Sequence, residues 1–61
     1  MKLKEYLDEN KVSINRIAGD TGISVGAIYD YIKGKAASMK NAKKIEIYTK
    51  GEVTLYDLKG D

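Results

Sequence analysis

The side chains of this chain that can do chemistry are almost all lysines and carboxylates, because it contains neither cysteine nor histidine. Thiolate nucleophiles, disulfides and the usual zinc sites are therefore excluded. Catalysis would need paired carboxylates or an activated lysine inside a pocket, and 61 residues leave little room for one. We read the chain as non-enzymatic, with no cofactor and no metal. The interval from Gly26 to Lys35 has the wrong spacing for a phosphate-binding P-loop. Gly19-Asp20-Thr21-Gly22 matches the GxxG loop of some RNA-binding domains only superficially, since Asp20 replaces the usual basic residue. What remains is the placement of charge. Residues 33–50 hold six lysines (33, 35, 40, 43, 44 and 50) against Glu46 alone, a net of +5 within a chain of net +2. Residues 1–32 sum to −1 and residues 51–61 to −2. One cationic segment of this kind suits contacts with phosphates, although a solvated lysine face would look the same.

The elements that must position this segment are short helices. Leu3, Tyr6 and Leu7 form an i, i+3, i+4 stripe, a first helix that stops at Asn10 and Lys11. A local device then repeats. Val12-Ser13 precedes Ile17, and Ile23-Ser24 precedes Ile28. Each serine can accept hydrogen bonds from the first turn of a helix, and the apolar residue before it can pack on the fourth helical residue. Gly19 and Gly22 are expected to close the second helix and Gly34 the third. Ser38 opens a fourth helix bearing Met39, Ala42 and Ile45.

Residues 45–55 read two ways. Ile45, Ile47, Val53 and Leu55 alternate as a hairpin would, with Thr49-Lys50-Gly51 as the loop. Against this, Val53-Thr54 with Leu58 repeats the staple and cap, and Asp57 stands at the capping-box position. The all-α reading is preferred, a bundle of four to five short helices, with a C-terminal hairpin over 45–55 as the alternative. Leu3, Leu7, Ile17, Ala18, Ile23, Ile28, Ile32, Met39, Ala42 and Ile45 are the expected core. Tyr6 and Tyr31 stand at its edge, and Tyr48, Leu55 and Tyr56 are candidates for a dimer interface. No apolar run is long enough to cross a membrane, and a cytoplasmic protein is expected.

Within Ile14–Lys33, Ala18, Gly22 and Ile28 stand at offsets of four and ten, between Ile17 and Tyr31. That spacing suits two helices crossing at a sharp turn. It resembles the helix-turn-helix of the Cro/C1-type phage and bacterial regulators. Ala42, Ile45, Glu46, Thr49, Gly51, Val53, Thr54, Asp57 and Leu58 resemble the tail of its all-helical members. The resemblance covers essentially residues 1–61 as one DNA-binding domain and implies a repressor that binds double-stranded DNA as a homodimer. It places helix 24–33 in the major groove, with Ser24, Val25, Gly26, Tyr29, Asp30 and Lys33 at base edges. Phosphate contacts fall on Ser13, Asn15, Arg16, Lys35, Lys40 and Asn41. The chain departs from the family's pattern where relatives carry hydrogen-bonding residues: Val25, Gly26 and Asp30 offer little to adenine or guanine, and Ile14 stands where a glutamine is common. A second reading follows, a protein-interaction or antitoxin-like module that keeps the fold.

Overall fold

The computed structural model describes residues 1–60. Four α-helices, α1 (Leu3–Asn10), α2 (Ile14–Thr21), α3 (Val25–Ile32) and α4 (Met39–Tyr48), are followed by one 3₁₀ turn, η1 (Tyr56–Leu58). No strand occurs among the described residues. The helices are eight to ten residues long, too short to persist alone in water, so each depends on its ends and on the face it buries.

The helix starts are where the serines put them. The hydroxyl oxygens of Ser13, Ser24 and Ser38 accept from the backbone N–H of Arg16, Ala27 and Asn41 at 3.0, 3.2 and 3.2 Å. Each satisfies one of the donors that a helix N-terminus leaves open. Thr54 and Asp57 form the reciprocal pair expected of a capping box: the Thr54 N–H donates to Asp57 Oδ2 at 3.0 Å, and the Asp57 N–H donates to Thr54 Oγ1 at 3.3 Å. The helix it starts is only the single turn η1.

The ends use left-handed residues. Gly22, at φ 77°, returns its N–H to Ala18 and turns the chain from α2 towards α3. After α3, the Gly34 N–H reaches the Tyr31 carbonyl and the Lys35 N–H the Asp30 carbonyl, the paired bonds of a Schellman motif. The same pattern recurs after α1 and α4, but there lysines take the strained position, Lys11 at φ 54° and Lys50 at φ 55°. Gly19 lies inside α2 and not at its end.

One core joins everything: Leu3, Tyr6, Leu7, Ile17, Ala18, Ile23, Ile28, Ala42, Ile45, Val53 and Leu58. Helix α3 packs against α1 and α2, and α4 packs against α2. Two expectations need correction. Met39 is 70% exposed, since it is the first residue of α4 and lies beyond the edge of the core that Ala42 and Ile45 enter. Ile32 is half-buried at the core margin. The hairpin alternative is overturned. A strand would put Ile45 and Ile47 on one face, whereas helix α4 buries Ile45 completely and leaves Ile47 71% exposed. Thr49, 1% exposed, then seizes the returning chain: its Oγ1 accepts from the Val53 N–H at 3.1 Å and lies 3.2 Å from the Glu46 carbonyl, to which it donates. The Glu46 carboxylate also accepts from the Leu55 N–H. These bonds seat Val53 and Leu58 in the core without a sheet.

Candidate nucleic-acid interface

Helix α3 is held by Ile28, which is fully buried, with Ala27, Tyr31 and Ile32 half-buried beside it. That fixes which side faces outward. At 3.6 residues per turn, Val25, Gly26, Tyr29, Asp30 and Lys33 fall within about 140° of the helix circumference. All are exposed except Asp30, which is half-buried. The Asp30 backbone carbonyl is occupied by the Lys35 N–H. Ser24, also exposed, spends its oxygen as an acceptor in the cap and keeps its hydroxyl proton for an outside acceptor. The outward face therefore joins an apolar first turn to a polar end carrying Tyr29 and Lys33.

The residues expected at phosphates divide by how free they are. Ser13, Asn15, Arg16, Lys35 and Lys40 are exposed. The Ser13 oxygen caps α2, and Asn15 is in the first turn of that helix. Arg16 lies 3.5 Å from the Asp20 carboxylate in a solvent-exposed i, i+4 pair, worth little and easily exchanged for a phosphate. Asn41 is different. It is half-buried, and its Nδ2 donates to the Tyr31 hydroxyl at 2.8 Å, so one amide proton already fastens α4 to α3. Tyr31 thus positions the C-terminal end of α3 against α4. A second tie comes from Tyr48, whose hydroxyl donates to Asp20 Oδ2 at 2.9 Å and joins α4 to α2. That hydrogen bond, with desolvation and the nearby negative charge, holds the Tyr48 phenol above its ordinary pKa.

Two cationic residues escaped the sequence reading. Lys2 and Lys4, in and before α1, line the same concavity of about 110 Å³ as Lys33 and Lys35. The one acid among the described residues of its lining, Asp57, is occupied by the Thr54 N–H and hydroxyl and by the Met1 ammonium. The Thr54 backbone bond and the ammonium hold its carboxyl below the usual range. No local signal marks Lys2 and Lys4, since they sit in the half of the chain whose charge sums to −1. The fold alone brings them beside the basic segment. Lys4 is partly engaged by Asp8 at 2.8 Å in an exposed pair.

Among the described residues no group of His, Cys, Asp and Glu is arranged to hold a metal ion, and no helix is long and apolar enough to cross a membrane. A helix-turn-helix family model matches residues 3–55, from the first helix to the edge of η1. Comparison with curated proteins and with solved structures gives no match.

Proposed function

The chain belongs to the Cro/C1-like helix-turn-helix family of DNA-binding regulators, and we propose that it is a sequence-specific repressor that inserts helix 24–33 into the major groove and occludes a promoter. The observation that carries this is the outward face of α3. It is capped by Ser24, backed by the buried Ile28, and exposed at Val25, Gly26, Tyr29 and Lys33. In this reading Ser24, Val25, Gly26, Tyr29, Asp30 and Lys33 meet base edges, while Ser13, Asn15, Arg16, Lys35, Lys40 and Asn41 hold the backbone, joined by Lys2 and Lys4. Helix starts at Ser13 and Ser24 supply free N–H groups for phosphates. The protein acts in the cytoplasm, where the DNA is, and as a homodimer on half-sites about one helical turn apart. Tyr56, Ile47 and Met39, the most exposed large apolar side chains, are the candidates for the subunit contact.

Selection of bound sites from random duplex DNA, followed by fluorescence titration against salt, tests this. The expected result is a two-fold symmetric site whose affinity falls steeply with salt. Absence of affinity for any duplex at low salt refutes it. The shortage of hydrogen-bonding groups at Val25 and Gly26 favours one competing reading, an interaction module. A protein partner bound through α3, with Lys35 and Lys40 dispensable, would establish that reading instead.

A further inference from the structure

Gly26 has no reason in the fold to be glycine. It is the second residue of α3, its φ is not in the left-handed region, and a Cβ built on it meets nothing within 4 Å. Glycine inside a helix weakens it relative to alanine, and α3 has only eight residues over which to absorb that. The fold is thus handicapped at an exposed position of the outward face. Beside it, Val25 is 37% exposed and turns methyl groups outward. Neither residue has a side chain that can donate or accept a hydrogen bond. The first polar side chain beyond them on this face is Tyr29, one turn further.

We propose that Val25 and Gly26 read a thymine by its 5-methyl group, with the missing Cβ of Gly26 giving room for close approach of α3 to the base edge. The inference rests on DNA binding through α3. Among the groups that base pairs show in the major groove, the thymine methyl is the apolar one, and the others are hydrogen-bond donors or acceptors. A surface of valine methyls and bare backbone complements that group and leaves an exposed amino or carbonyl edge unsatisfied. Discrimination at this position comes from shape and from burial of one methyl.

The test uses the full chain and the duplex recovered by site selection. Thymines are replaced one at a time by deoxyuridine, which removes only the methyl. At one position per half-site the loss should be about fourfold, the value of one buried methyl group. That loss should vanish in Val25→Ala, whose own affinity is already lower. Gly26→Ala should raise the Tm by about 4 °C while weakening binding to the same site severalfold, opposite signs that a purely structural role does not give. Tight duplex binding with no deoxyuridine effect at any position overturns the methyl reading and leaves DNA binding intact. Gly26→Ala with higher Tm and unchanged affinity overturns the close approach. Failure to enrich any duplex overturns both.

Discussion

Replacing Thr49 by valine should destabilise the domain more than its size suggests. Valine matches threonine in shape, so the perturbation is almost purely the loss of one hydroxyl. In the native chain that oxygen is the acceptor for the Val53 N–H at 3.1 Å, and Val53 is fully buried. The valine variant strands this N–H, at a cost of about 1 to 3 kcal/mol. Two effects offset part of it: the hydroxyl's own desolvation disappears, and one more methyl, about 0.8 kcal/mol, is buried. A net loss of about 1 kcal/mol is expected, a fifth to a third of what a core of this size supplies. At about 4 to 8 °C per kcal/mol for a small domain, the Tm falls by roughly 4 to 8 °C. Circular dichroism on heating and in urea measures this, with an unchanged urea slope marking an intact folded state. Thr49→Ser keeps the acceptor, loses only a methyl and serves as the comparison. A valine variant as stable as the native protein would refute the assignment of this hydroxyl as the clasp of the tail. The consequence reaches the interface. The tail's Leu58 carbonyl accepts from the Ala37 N–H at 2.8 Å, in the loop that carries Lys35. Loss of the clasp should therefore loosen that loop and weaken DNA binding as the temperature approaches the lowered Tm.

Lys35→Ala and Lys40→Ala should each reduce the slope of log affinity against log salt by about 0.9 per subunit, about 1.8 for a bound dimer, if each side chain neutralises one phosphate, with little change in Tm. Acid should act through Asp57. Its carboxyl is held below 3.8 in the folded chain, so its contribution is complete above the unfolded value and disappears as pH falls through the folded one. In Tm measured from pH 5 to pH 2, Asp57→Asn should lower the upper end and flatten the decline. Lys50→Gly should stabilise by about 0.5 to 1 kcal/mol in thermal melts, because the side chain at φ 55° is strained in an exposed turn where glycine is at ease.

Asn41 and Tyr48 illustrate where sequence reading ran out. The family resemblance makes Asn41 a candidate phosphate contact, but its bond to Tyr31 joins residues ten apart on two helices, and no local pattern encodes it. By sequence Tyr48 is surplus apolar surface available for a dimer. In the fold it is half-buried and spends its hydroxyl on Asp20, leaving Tyr56, 78% exposed with the Lys59 ammonium 4.4 Å over its ring, as the open aromatic of the tail.

Ser13, Ser24, Ser38 and Thr54 mark where helical turns begin, and Gly22 and Gly34 mark where α2 and α3 end. Those facts belong to the sequence because a cap or a left-handed turn is decided within a few residues of backbone. The apolar spacing from Leu3 to Ile45 likewise determined most of the core, since helical periodicity selects one face. Three matters needed the tertiary structure. Residues 45–55 carry both a helical and a strand pattern, and burial of Ile45, Val53 and Leu58 in one core chose between them. Met39 sits on the core stripe by spacing but lies beyond the core's edge. Lys2 and Lys4 join Lys33 and Lys35 only because α1 packs on α3, and a charge's neighbours depend on distance through space, which the order of residues does not contain.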